Sequence, residues 1–145
     1  MLLLGAVLLL PVQGTDVGKL VPVELVYVHT EGELIKIATD QGETGAGATV
    51  ADAIDNLKET TAGIVFLDTA DYVLIDEAAK EELVVLKSHL KPTARVCVLN
   101  EDLDLKQVSE FLRVHKPRLK LGDSDQDSNL ETLSSENGRF ILNKD

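Results

Sequence analysis

The chain reads as an α/β domain, a mixed sheet of four to five strands with three helices packed on it. Three observations predict this. Ile64-Val65-Phe66-Leu67 and Arg95-Val96-Cys97-Val98-Leu99 are continuous apolar runs between turn signals, the mark of central strands covered on both faces. Between Val21 and Thr39 apolar residues alternate with a period of two, as in paired strands. Three intervening stretches carry apolar residues at helical spacing with charges opposite.

The first strand spans Val21 to Thr30, where Val21, Val23, Leu25 and Tyr27 form one face and Pro22, Glu24, Val26 and Val28 the other. Glu31-Gly32-Glu33 turns the chain, and Leu34 to Thr39 returns as a second strand, so the two pair as an antiparallel hairpin. Asp40 to Thr49 is glycine-rich and predicts a loop. Thr49 then supplies an N-cap hydroxyl for the Asp52 amide, and Val50, Ala53, Ile54 and Leu57 make the buried stripe of a first helix that ends near Gly63. After Ile64–Leu67, Asp68-Thr69-Ala70-Asp71 is a polar break, and Tyr72-Val73-Leu74-Ile75 fits either a short strand or the entry to a helix. A second helix is predicted over Asp76 to Leu90, buried through Ala79, Leu83, Leu86 and Leu90 and stopped by Pro92. Arg95–Leu99 follows as a strand, and Asp104 to His115 as a third helix with Leu105, Val108, Phe111 and Leu112 inward.

The ends have different characters. Met1–Leu10 is nearly all apolar, and Val12 and Gly14 stand where a signal peptidase takes small residues, so residues 1–14 are expected to be a signal-peptide-like segment. It lacks a basic leading stretch. Either a longer basic leader precedes it or the segment acts as a weak anchor; the run falls short of the roughly 20 residues that cross a bilayer, so the mature chain is expected to have no integral membrane span. Residues 15–121 are the expected α/β domain. From Gly122 the composition turns to Gly, Asp, Ser, Gln and Asn, which predicts an acidic flexible tail over 122–145, with Leu130, Leu133 and Phe140–Leu142 able to dock weakly.

Composition excludes several function classes. With 14 Lys and Arg against 25 Asp and Glu, the net charge of −11 disfavours nucleic acid and anionic membrane surfaces, which are held by cations. Two Tyr, three Phe and no Trp leave no stacking platform for single strands. One cysteine, Cys97, permits no internal disulfide, and its apolar run marks it as a small buried hydrophobe.

Gly42-Glu43-Thr44-Gly45-Ala46-Gly47-Ala48-Thr49 has the glycine spacing of a phosphate-binding loop, and Ile64–Asp68 imitates the strand and aspartate that help hold magnesium. Ala48, however, stands where the lysine that reaches the terminal phosphates is required, and Val50 stands at the third glycine of a dinucleotide fingerprint. Asp40, Asp68, Asp71 and Asp76 lie at ends of predicted elements, where such residues cap turns or, if they converge, bind a cation. His29, His89 and His115 share no ligand spacing, and Ser88, Ser109 and Thr69 lack the strained turn of a nucleophile. No catalytic trio, cofactor or metal is expected.

Asp16-Val17-Gly18-Lys19-Leu20, Gly47-Ala48-Thr49-Val50-Ala51-Asp52-Ala53 and Phe66-Leu67-Asp68-Thr69-Ala70-Asp71-Tyr72-Val73-Leu74-Ile75-Asp76-Glu77 resemble the N-terminal domain of the Ger(x)C spore-germination proteins of Gram-positive bacteria. The likeness covers residues 16 to about 121. It departs at the lipid-attachment cysteine, which has no counterpart near residue 15, and at that family's large C-terminal domains. The resemblance implies an exported or cell-surface, non-catalytic binding or scaffold domain of a germination receptor, with a protein partner, a membrane protein among the candidates, and no catalytic residues to transfer. The expected contact edge is Asp40, Gly45, Gly47, Thr49, Asp68, Thr69 and Asp71, from loops at strand ends. The alternative is a nucleotide- or divalent-metal-binding phosphoryl-type enzyme that uses Asp40, Thr49 and Asp68.

Overall fold

The computed structural model describes residues 20–143. The signal-peptide-like segment 1–14 and the Asp16–Lys19 part of the first resembling motif lie outside the described residues. The chain is α/β, with a mixed sheet and three helices. In order come β1 (Leu20–Pro22), β2 (Leu25–Glu31), β3 (Leu34–Thr39), β4 (Thr44–Gly47), α1 (Val50–Thr60), β5 (Ile64–Phe66), β6 (Tyr72–Ile75), α2 (Leu83–Leu86), β7 (Arg95–Leu99), α3 (Leu105–Val114), β8 (Thr132–Glu136) and β9 (Arg139–Asn143).

Seven strands form one sheet in the order β9-β8-β7-β6-β2-β3-β4, while β1 and β5 make a separate parallel ribbon. The middle of the sheet is parallel: β2 with β6, β6 with β7, and β7 with β8. Antiparallel pairs close both sides, β2-β3-β4 on one and β8-β9 on the other. Parallel strands must bury both faces, and here they do. Val26, Val28, Val73, Ile75, Val96 and Val98 meet α1 and α2 through Ala53, Leu57, Leu83 and Leu86. On the opposite face Leu25, Tyr72, Leu74, Cys97 and Leu99 pack with Val108 and Leu112 of α3 and with Leu133.

The helices start where short polar side chains can take the free amides of a first turn. Thr49 accepts from Asp52 N–H, Asp76 from Ala79 N–H, and Asp104 from Lys106 and Gln107 N–H. The second helix is tighter than its spacing predicts. A 3-10 segment, Glu77–Glu82, precedes the single α-turn Leu83–Leu86, yet Ala79, Leu83, Leu86 and Leu90 remain the buried stripe.

Several expectations need correction. Ile64–Leu67 is not a central strand covered on both faces: β5 pairs only with β1, and Ile64 and Phe66 are 43% and 44% exposed. The strand expected over Val21–Thr30 breaks after Pro22, so that β1 joins the ribbon and β2 the main sheet. The sheet has seven strands where four to five were expected. The glycine-rich stretch is a strand for half its length: β4 pairs with β3, and α1 sits so close on it that a Cβ at Gly45 falls 2.4 Å from Ala53 O and one at Gly47 falls 2.7 Å from Ala53 N. These glycines give α1 room. Finally, of the tail expected over 122–145, the described residues 122–143 belong to the domain, because β8 and β9 continue the sheet and Leu133 and Leu130 are buried in its two cores. Asn137 and Gly138, at φ 52° and 77°, make the two-residue turn that joins them.

Gly45→Ala is expected to destabilise the fold by about 1–3 kcal/mol through overpacking against α1 backbone, read as a lower urea midpoint with unchanged m. A variant as stable as the parent contradicts the close seating of α1.

Candidate functional site

A concavity of about 1010 Å³ lies over the β2-β3-β4 hairpin and runs to the carboxyl ends of the parallel strands. In open α/β sheets ligands bind at that end, outside the strand termini. The floor is Tyr27 and His29, two residues apart on one face of β2 and stacked with ring centroids 4.6 Å apart and planes at 19°. The Tyr27 hydroxyl donates to Leu99 O at 2.9 Å, which ties the floor to the end of β7.

The rim is acidic, and the sheet order arranges it. Glu31 ends β2, Asp76 and Glu77 follow β6, and Glu101 and Asp102 follow β7, so carboxylates stand above three adjacent strands. With strands spaced about 4.8 Å apart, the row spans roughly 10 Å. Among the described residues Lys36 is the sole Lys or Arg in the lining, and it lies 3.2 Å from Glu31. Several rim groups also hold the frame: Asp76 Oδ2 accepts from Thr30 N–H and Oγ1–H, Asn100 Oδ1 from Glu77 N–H, and Glu101 Oε2 from Ser135 N–H. The Tyr27 phenol feels the rim. Burial first, then the charges of Asp76 and Asp102, push its pKa up to about 12.

The seven expected contact residues do not share one edge. Asp40, Thr69 and Asp71 gather at the amino ends of β2 and β6. Asp40 is buried and its Oδ1 accepts from Glu24 N–H at 2.9 Å and Leu25 N–H at 3.1 Å, clamping the start of β2. Thr69 donates its hydroxyl to Val23 O at 2.8 Å, and Asp71 pairs with Lys91 at 2.5 Å. Asp68 is exposed beside them and lines a smaller hollow of about 490 Å³ with Lys58 and His89. Gly47 and Thr49 lie at the other end of the sheet, since Gly47 is in register with Ile35 and Ile35 with Thr30 near the end of β2. Gly45 is buried beneath α1 and also borders the large cleft. Asp40 and Asp68 therefore do not form one site with Thr49.

Among the described residues no group of three or more His, Cys, Asp or Glu side chains could hold a metal ion, and no helix is long and apolar enough to cross a membrane. Cys97 is fully buried against Leu74 and Leu99, and burial pushes its thiol pKa up, away from reactivity. The residues that sequence reasoning missed are Tyr27 and Asn100-Glu101-Asp102. Their signal was positional: a polar triplet directly after the apolar strand Arg95–Leu99 marks the carboxyl end of a central parallel strand.

Two outcomes follow from this geometry. Asp40→Ala leaves two amides of β2 without their acceptor and is expected to cost about 3 kcal/mol, measured by denaturant unfolding. In the folded chain Tyr27 holds its proton above the ordinary phenol value of 10.0 to about 12. The stabilisation this represents is intact below pH 10 and disappears as pH rises through about 12, because the unfolded chain ionises first. Absorbance titration of the phenols is expected to lose its highest step in Tyr27→Phe, and a parent titrating wholly near pH 10 contradicts it. Searches of protein-family models, of curated proteins and of solved structures return no match to this chain, so its site is defined by its own residues.

Proposed function

We propose that the domain is an exported, non-enzymatic binding or scaffold module that takes a segment of a protein partner in the acidic cleft over β2, β3 and β4. The observation that carries this reading is the cleft itself, wide, preformed and at the carboxyl ends of β2, β6 and β7. Its polar groups are largely spent on holding the walls. Tyr27, Asp76, Asn100 and Glu101 all bond to backbone of neighbouring elements, which suits a rigid receptor surface. The raised Tyr27 phenol keeps its proton, which it donates to Leu99 O, so it serves the cleft as a neutral wall.

The process comes from the resemblance. A germination receptor at the surface of a spore-forming bacterium is the setting that the likeness to the Ger(x)C N-terminal domain implies, with a membrane subunit as the first partner to test. The rival reading, phosphoryl chemistry on a nucleotide, has two observations against it. Gly45 and Gly47 of the loop it requires lie in β4 under α1, and the cleft sets Glu31, Asp76, Glu77, Glu101 and Asp102 against a polyanion.

A photo-crosslinking phenylalanine analogue placed at Asp102, in the cleft, and at Asp68, on the opposite end, tests the reading in sporulating cells. A protein adduct from position 102 and none from 68 is expected. Adducts from 68 alone move the contact to the other end, and the free monomer at every stage contradicts a partner. Calorimetry with magnesium and ATP is expected to show no heat; heat abolished by Asp68→Ala reverses the ranking.

A further inference from the structure

The sheet has two margins, and the fold treats them differently. At β4, α1 leans over the open side: Asn56 Oδ1 accepts the Ala46 N–H at 3.0 Å, and the Thr60 hydroxyl donates to Thr44 O at 3.3 Å. The outward Ala46 N–H and Thr44 O are met by α1. At β9, the last strand of the sheet, no described residue hydrogen-bonds to the outer side of the backbone. The strand is Arg139-Phe140-Ile141-Leu142-Asn143, apolar at its centre, in unbroken register with β8 and without proline. Exposed edges are usually blunted by charge, proline, a bulge or cover; among the described residues this one has a charge only at its first position, Arg139, and no proline, bulge or cover.

The turn decides which backbone groups face outward. Glu136 and Arg139 flank the Asn137-Gly138 turn, and in a two-residue hairpin the flanking pair exchanges both hydrogen bonds. Alternation then aims Arg139, Ile141 and Asn143 at β8, and Phe140 and Leu142 away from it. The outward pair is symmetric about Ile141.

We propose that β9 is a self-pairing surface: two copies of the chain join β9 to β9, antiparallel, about a two-fold axis at Ile141, and make one sheet continuous across both. A two-fold contact must be self-complementary, and this register satisfies it. Phe140 exchanges hydrogen bonds with the partner's Leu142, Leu142 does so with the partner's Phe140, and Ile141 meets the partner's Ile141. Side chains agree with backbone. Directly opposed residues share a face, so Phe140 and the partner's Leu142 extend the core in which Phe140 packs edge-on to Phe111 with centroids 5.6 Å apart. A shallow groove of about 450 Å³ lined by Phe111, His115 and Arg139–Leu142 runs beside the strand, and Val114, next to His115 on α3, is 76% exposed. This pairing is independent of the cleft, which lies toward the opposite margin of the sheet.

Sedimentation equilibrium of the full chain is expected to show a concentration-dependent monomer–dimer equilibrium. Ile141 is only half-buried in one chain, so Ile141→Lys keeps its charge solvated in the monomer but sets two ammonium groups face to face in the pair. Association is expected to fall by about 100-fold. Ile141→Glu behaves the same way, and an equimolar mixture of the two variants recovers association as a heterodimer. Amide exchange reads the same contact without substitution: Phe140 and Leu142 N–H are slow at high concentration and fast on dilution. The proposal is overturned by a parent chain that stays monomeric up to about 1 mM, by an Ile141→Lys variant that dimerises as well as the parent, or by fast Phe140 and Leu142 exchange in the dimer.

Discussion

Tyr72, Val73, Leu74 and Ile75 are all buried, and four consecutive dry residues on one strand oblige the protein to place apolar matter on both sides of it. A single layer of helices cannot satisfy β6. α1 and α2 cover Val73 and Ile75, α3 covers Tyr72 and Leu74, and β2 and β7 repeat the same alternation beside it. From this constraint follows the placement of everything polar. Backbone and side-chain groups that cannot enter either layer collect at the two ends of the parallel strands, and the two ends have become chemically different.

At the amino end the polar residues are structural. Asp40 closes the start of β2 and Thr69 reaches Val23, while the Asp71–Lys91 pair, half-exposed, adds little to stability. At the carboxyl end the strands run out under a wide cleft, and the acidic loops after β6 and β7 form its rim. The same residue type thus carries two meanings in one fold. An aspartate that caps backbone from a buried position is architecture, and one that stands free over a concavity shapes what may enter.

Much of the architecture was legible in the residues. The hairpin of β2 and β3, the Thr49 cap, the stripe Val50-Ala53-Ile54-Leu57 and the helix after Asp104 each have a local cause, and the structure shows all of them. The misses have physical reasons too. β4 is rich in glycine, which normally signals a loop; it is a strand because Gly45 and Gly47 leave space for a helix to press on them, a tertiary demand that no local propensity expresses. The Asn137-Gly138 turn was readable, since Asn-Gly between alternating runs is a strong hairpin signal, but the polar stretch before it masked the strands on either side. The seven expected contact residues are dispersed because element ends on a linear sequence do not disclose which end of the sheet they occupy; Gly47 and Asp71 are settled at opposite ends only by register.

The parallel core has a cost in time. Leu25 of β2 takes Tyr72 as its partner, so the first core strand must wait for the hairpin, α1 and β5 to be made before it finds its neighbour. Loop closure over such a separation slows the search, whereas β2, β3, β4 and α1 form a contiguous stretch with local contacts of their own. The amino-terminal half is therefore expected to assemble first, with Val26 and Val28 half-covered until β6 arrives, and misassembly is expected to concentrate in that interval.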